Sequence, residues 1–407
     1  MRVVVLFDNL GPYHIARLTQ LGKLCDLLAV EQNTSSSDYA WQTTAVVPFR
    51  RITLFNSTTT PNRKSGKDIY QVVENALSDF NPEVVVVPGW ATNQAMSAIL
   101  WARIHCVPVV VMSDSQEIDF PRKKFSEWIK RLILSSVDGA FVAGSSHRDY
   151  VMKLGMNKDR IRLGYDVVDN DYFYHGALMV KENVEPLRVD HNLPKRFFLT
   201  SARFVEKKNI SSLISAFSAF LQINDVNSVI HERWSLIILG DGPMRTVLEQ
   251  QISELGLVDR ILLLGFKQYQ DLPIYYGLAE AFILPSTTEQ WGLVVNEAMA
   301  SGLPVLVSNR CGSAVDLVKN GVNGYCFDPY NLTELSSFMT QIAKNEVMRK
   351  KMGQASLEII KNWTTSMFSN NLIELAEGVR GSPLSKKNWF ANILLRAMLY
   401  RPFFAKS

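Results

Sequence analysis

Four cysteines in 407 residues, Cys25, Cys106, Cys311 and Cys326, stand far apart and never in CxxC spacing. That supplies neither a disulfide framework nor a zinc knuckle, and it suits a reducing, cytoplasmic compartment. Long apolar runs are missing too: no stretch reaches the roughly 18–20 residues that a spanning helix needs. The opening MRVVVLFDNLGPYH breaks its apolar run at Asp8 and reads as a first strand, not as a secretory leader. Dense Lys/Arg blocks and aromatic-basic RNA signatures are absent, and the net charge is only +4, so nucleic acid is not an expected partner. A complete dinucleotide fingerprint is also lacking. Arg245 stands where a GxGxxG pattern begun at Gly240 would place its last glycine, and the first strand leads into NLGPYH. A nicotinamide dehydrogenase is therefore disfavoured. The histidines show no metal-ligand spacing, and Asp169-Asn170-Asp171 reads as a helix-capping turn, so neither a metal nor another cofactor is expected.

What is present is apolar material, 47% of the chain, enough for two cores of ordinary domain size. Short β-branched runs recur, each followed by a helical pattern: RVVVLF, EVVVV, VPVVVM and GAFVAG in the first half, then WSLIILG, RILLLG, AFILPS and PVLVS. Continuous apolar strands alternating with helices predict parallel sheets buried on both faces, joined by right-handed crossovers. The rhythm breaks between about Tyr165 and Lys195 and restarts with RFFLTSARF. The expected organisation is a first Rossmann-like domain over 1–175, a linker over 176–195, a second over 196–378 and a basic extension over 379–407. Asn209 is placed to cap ISSLISAFSAFL, and Pro243 to open a helix that Gly256 closes.

In open α/β sheets, ligands bind beyond the carboxyl ends of the strands, so the residues after each strand carry the chemistry. In the second half these are Arg203 and Lys208, then Gly240 and Gly242, then Gly265-Phe266-Lys267, then the segment Glu289 to Glu297. Two cations on one strand-to-helix turn can neutralise a diphosphate, and Gly292 lets the N–H groups of Leu293 and Val294 approach phosphate oxygens at a helix start. Glu297, one to two turns into that helix, can accept both hydrogen bonds of a vicinal diol. Glu289 lies on the other side of the phosphates. Taken singly these are ordinary surface charges and turn glycines. Taken together they describe a site for a nucleotide sugar.

The pattern Glu289-x-Trp-Gly-Leu-x-x-x-Glu297-Ala-Met-Ala-x-Gly302-x-Pro304 closely resembles the signature of family-four retaining glycosyltransferases of GT-B fold. Arg203-x4-Lys208-Asn209, Gly240-Asp241-Gly242-Pro243 and Gly265-Phe266 extend the likeness over most of 196–371. The resemblance implies two Rossmann-like doubly wound parallel-sheet domains facing across a cleft. It also implies a nucleoside-diphosphate-sugar donor, with Arg203 and Lys208 on the diphosphate, Glu289 on sugar hydroxyls and Glu297 on the ribose. Gly265, Phe266 and Lys267 would flank the base. The first half matches more loosely. NLGPYHIARL stands where the family has a Gly-Gly loop and a helical His, which makes Gly11 and His14 donor-binding candidates beside the phosphates and the acceptor, although Pro12 replaces the second Gly. Ser113-Asp114-Ser115 replaces a His that contacts the sugar, so that contact would fall to Asp114. Catalysis is then mainly electrostatic, the leaving diphosphate helping to deprotonate the acceptor.

Two stretches suit either an anionic membrane surface or packing on a domain core, and the GT-B resemblance implies that a C-terminal helix can return to the first domain. FPRKKFSEWIKRLIL places Phe125, Trp128, Ile129, Leu132 and Ile133 on one helical face and Lys123, Lys124, Lys130 and Arg131 elsewhere. The tail carries Arg380, Lys386, Lys387, Arg396, Arg401 and Lys406 around an apolar helix, with no acidic residue after Glu377. A glycan or lipid-linked acceptor of cell-surface polysaccharide synthesis, met at the inner face of the membrane, is the resulting expectation. The rival readings are a GT-B epimerase or phosphorylase, and a non-catalytic nucleotide- or glycan-binding partner.

Overall fold

The computed structural model describes residues 1–33, 46–55, 65–227, 233–382 and 389–400. The chain forms two compact units, one made of 1–167 with 365–407 and the other of 168–364. The first is built on an all-parallel sheet of β1 (Arg2–Phe7), β2 (Asp26–Asn33), β3 (Arg50–Phe55), β4 (Val84–Pro88), β5 (Val109–Ser113), β6 (Gly139–Val142) and β7 (Ile161–Leu163). Its order is β3-β2-β1-β4-β5-β6-β7, with Val4 opposite Val85 and Val110 opposite Gly139. The second unit holds β8 (Arg196–Ser201), β9 (Trp234–Leu239), β10 (Ile261–Leu263), β11 (Ala281–Leu284), β12 (Val305–Ser308) and β13 (Gly324–Phe327). Their order is β10-β9-β8-β11-β12-β13, again all parallel. The doubly wound pair of α/β sheets expected from the β-branched runs is therefore what forms. Val3, Val4, Val5 and Leu6 are wholly enclosed, as strands covered on both faces must be.

Each order reverses once, between β1 and β4 in the first sheet and between β8 and β11 in the second. At such a reversal the neighbouring loops diverge to opposite faces and leave a crevice at the carboxyl edge of the sheet. That places the loops after β1, β8 and β11 where ligands bind.

Two boundaries differ from the expected ones. The stretch 176–195 holds parts of the helices Asn170–Glu182 and Val184–Asp190, not a bare linker. Phe173, Ala177 and Val180 of the former are buried, a helical stripe hidden in the sequence by the polar and aromatic residues around it. Asp169 accepts from the Tyr172 N–H at 3.1 Å, so Asp169-Asn170-Asp171 is the capping turn expected. At the other end, Thr365–Arg380 belongs to the first unit, where Phe368, Leu372, Leu375, Ala376 and Val379 are buried. Burial of large apolar side chains such as Phe368 and Leu372 contributes about 1.5–3 kcal/mol each. The tail helix Trp389–Tyr400 also joins that core through Leu395, Met398 and Leu399. Its apolar face is thus used in packing, and the tail's Lys386, Lys387, Arg401 and Lys406 lie outside the described residues. No described helix is long and apolar enough to cross a membrane.

Candidate functional site

In the second unit the loops after β8, β9 and β10 are sewn together by their backbones. The Phe204 N–H donates to the Asp241 carbonyl at 2.8 Å, the Met244 N–H to Phe204 at 3.0 Å, and the Gly240 N–H to Gly265 at 2.9 Å. Gly240, at φ +121°, is obligatory for this approach, because a Cβ there would lie 2.0 Å from the Ala202 carbonyl oxygen. At Gly242 the same atom would meet the Phe204 backbone at 2.7 Å. Both glycines therefore hold one loop against another, and the close approach they permit is to protein backbone. Arg203 is exposed on this scaffold and Phe266 is 38% exposed, while Lys267 places its ammonium 5.4 Å from the Tyr275 ring centre.

Across the reversal, the segment after β11 is fixed by the loop after β12. The Gly312 N–H donates to the Glu289 carbonyl at 3.0 Å, and Glu289 bridges Cys311 in a parallel register. Thr287 N–H donates to Lys207 at 2.9 Å, which ties this segment back to the loop after β8. The result brings Lys208 and Glu289 into direct contact: the ammonium donates to the Glu289 carboxylate, and both side chains are largely buried. Ser286 Oγ donates to the same carboxylate oxygen at 3.3 Å. Gly292, at φ +94°, then opens the helix Leu293–Ala300, whose first-turn N–H groups, those of Leu293 and Val294, have no intrahelical acceptor. Cation, carboxylate and helix N-terminus are thus assembled at one switch point.

Two expected roles change. Asn209 does not cap its helix by accepting; it sits at φ +56°, and its amide donates to the Pro285 and Pro329 carbonyls at 3.1 and 3.0 Å. It pins the loop after β8 to the end of β11, a role that only the fold reveals. Glu297 is wholly enclosed, and its Oε2 accepts from the Tyr276 hydroxyl at 2.6 Å. It therefore does not present both oxygens for a diol. Burial, and then the charge of Glu297, push the Tyr276 hydroxyl well above its ordinary range, so it remains a donor. Tyr276 lies in a stretch that reads simply as an apolar helix, and nothing in its spacing announces a partner for Glu297.

In the first unit Gly11 and His14 stand after β1 as expected, yet the Gly11 N–H donates to His14 Nδ1 at 3.2 Å and is not offered outward. Burial first, and the Arg17 guanidinium second, lower the His14 pKa to about 3. The ring, 4.3 Å from that of Phe7, is neutral at ordinary pH. With Nδ1 accepting, the proton lies on Nε2. Asp114 follows β5 at the same edge. Burial, followed by the charges of Asp166 and Asp114, raises the Tyr165 hydroxyl, which sets these groups and Arg17 in one neighbourhood. Glu31, unremarked in the sequence, is fully buried at the end of β2. It accepts from the Leu10 N–H at 3.0 Å, Arg51 Nε at 2.8 Å and Thr53 Oγ1 at 2.7 Å, and so fixes the loop that carries Gly11.

Residues 183–358 match the family model described as Glycosyl transferases group 1. N-acetyl-alpha-D-glucosaminyl L-malate synthase of Bacillus anthracis is 24% identical over 206 residues, 50% of this chain and 49% of that protein. Alpha-monoglucosyldiacylglycerol synthase of Acholeplasma laidlawii is 34% identical over 145 residues, 35% of this chain and 34% of that protein. The chain thus spans half or less of the length of these relatives. Among solved structures, Anabaena HepE in complex with UDP and glucose superposes with a TM-score of 0.69 over 93% of this chain and 99% of that one, at 16% identity. That likeness is one of fold, and the two parallel-sheet α/β units are of GT-B type.

Proposed function

We propose that the chain is a retaining glycosyltransferase, moving a sugar from a nucleoside-diphosphate sugar to a hydroxyl of a glycan or lipid-linked acceptor in cell-surface polysaccharide synthesis, at the cytoplasmic side of a membrane. The observation that carries this reading is the Lys208–Glu289 contact set against the N-terminus of Leu293–Ala300 between β8 and β11. The match to Glycosyl transferases group 1 over 183–358, which contains every one of these residues, supports it. So does a fold shared with a protein solved with UDP and glucose.

In this reading the diphosphate takes Glu289's place on Lys208. Arg203 adds a second cation, and the N–H groups of Leu293 and Val294 receive phosphate oxygens. The released Glu289 carboxylate turns to sugar hydroxyls. Gly265, Phe266 and Lys267 flank the base, and Glu297, enclosed and with Oε2 held by Tyr276, turns a single carboxylate oxygen to the ribose when the donor binds. Gly240 and Gly242 keep the loops in register. The first unit offers the acceptor a neutral His14, with Nε2–H as donor, and the Asp114 carboxylate. As the bond from the anomeric carbon to phosphate breaks, the acceptor oxygen bonds to the same face of that carbon and passes its proton to the departing phosphate. Two cations already answer the diphosphate charge, so the reading calls on no metal.

Lys208→Ala tests the assignment. With a panel of UDP-, GDP- and ADP-sugars, release of nucleoside diphosphate should fall on the order of 10²-fold or more, the scale set by removing one charge-stabilising donor, when assayed at a temperature where the variant, which leaves Glu289 without its partner, is still folded. A variant within about threefold of the parent contradicts it.

A further inference from the structure

The helix Lys124–Leu134 carries five apolar side chains on one face, suited to a membrane surface or to the core, and the fold divides them. Ile129 and Ile133 are in the core of the first unit, and Leu132 is half-buried. Phe125 and Trp128 stay outside, 61% and 54% exposed, their rings stacked with centroids 6.0 Å apart. The short turn Glu117–Asp119 and the residue after it add Ile118 and Phe120, 42% and 59% exposed. Four large apolar side chains from one short segment thus stand in water, and the core beneath them is complete without them.

The charges of this segment are sorted as well. Its acids are held by the protein: Glu127 accepts from Lys130 Nζ at 2.8 Å and from the Tyr150 hydroxyl at 2.9 Å, Glu117 pairs with Lys153, and Asp119 is buried, accepting from the Gln116 N–H at 2.8 Å. Lys130, grouped by its position with the solvent-facing cations, is turned inward by this network. Lys123, Lys124 and Arg131 remain exposed and make no ion pair among the described residues. An apolar tip beside cations that form no ion pair among the described residues fits a surface that is apolar within and anionic at its face.

We propose that Ile118, Phe120, Phe125 and Trp128, with Lys123, Lys124 and Arg131 beside them, are the docking surface for an anionic lipid bilayer. The aromatic rings enter the boundary between headgroups and acyl chains, and the cations meet lipid phosphates. The tail helix gives Leu395, Met398 and Leu399 to the core, and the proposal is confined to the Ile118–Arg131 segment. The proposal does not depend on the chemistry assigned to the second unit.

The test is flotation of the full chain with vesicles of phosphatidylglycerol and phosphatidylcholine, beside vesicles of phosphatidylcholine alone. The parent should float with the anionic vesicles and release at high salt. Phe125→Ser/Trp128→Ser should lower partitioning about tenfold or more per side chain removed, and Lys123→Glu/Lys124→Glu by at least about fivefold per lysine. Both variants alter exposed groups only, so their melting temperatures should match the parent's. A parent that ignores anionic vesicles overturns the proposal, as does a Phe125→Ser/Trp128→Ser variant that floats like the parent. Equal flotation with both vesicle types overturns the part given to Lys123, Lys124 and Arg131.

Discussion

Lys208 and Glu289 each read in the sequence as a group waiting for ligand, one for phosphate and one for sugar. The structure gives them to each other. A carboxylate on the phosphate-binding cation neutralises a buried charge that would otherwise be expensive, and any diphosphate must displace it. Tyr276 on Glu297 and Glu31 under the Leu10 loop are further buried partners that no spacing announced. They were illegible for one reason: hydrogen-bond partners far apart in the chain meet only through the topology. His14 was legible as a candidate, but its state was not. Its pKa falls from 6.5 to about 3, so the folded chain keeps the ring neutral while the unfolded chain protonates it. The stability this contributes is complete above about pH 6.5 and is lost progressively as pH falls from there toward 3. His14→Gln should therefore flatten the dependence of the urea midpoint on pH between about pH 7 and about pH 4.5. A variant as pH-sensitive as the parent across that window contradicts the neutral, half-buried ring.

Among the elements, strands were the legible part. A parallel strand covered on both faces needs an unbroken apolar run, and VVVV or WSLIIL offers no other reading. Helices that pack on one side only, such as Asn170–Glu182, have a narrow buried stripe and blended into what looked like a linker. Polar anchoring of elements was invisible too. Arg103, on the helix Asn93–His105, is paired at 3.3 Å with Asp138 before β6, both buried, and Asp138 also accepts from the Val109 N–H of β5 at 2.9 Å. One carboxylate thus joins a helix to two strands. Asp138→Ala should cost about 3–5 kcal/mol, because it strands the Arg103 charge in the interior, whereas exchanging both partners for apolar residues of similar volume should cost far less. Denaturant midpoints of the single and double variants decide this; equal losses in both would contradict a penalty that comes from the orphaned charge.

For the molecule as a whole, the two-sheet plan could be read from the alternation of strands and helices, and the donor-side residues from their positions directly after the strands of the second half. The path of the chain after 364 was legible only as one of two alternatives for the tail: it leaves the second unit and completes the first with Thr365–Arg380 and Trp389–Tyr400. An amphipathic helix carries no label saying which sheet it covers. The second unit, 168–364, is accordingly a compact body that holds most of the proposed donor groups, Gly11 and His14 of the first unit being the others, and the ligand should stabilise the native protein by RT ln(1 + [L]/Kd), about 2.7 kcal/mol at a hundredfold excess over Kd. The most direct measurement is the thermal shift of the full chain with UDP, GDP, ADP and NAD, in the parent and in Lys208→Ala and Glu297→Ala. The account predicts a rise in melting temperature with one nucleoside diphosphate, none with NAD, and loss of that rise in both variants. No rise with any nucleoside diphosphate, or a rise that survives Lys208→Ala undiminished, would contradict it.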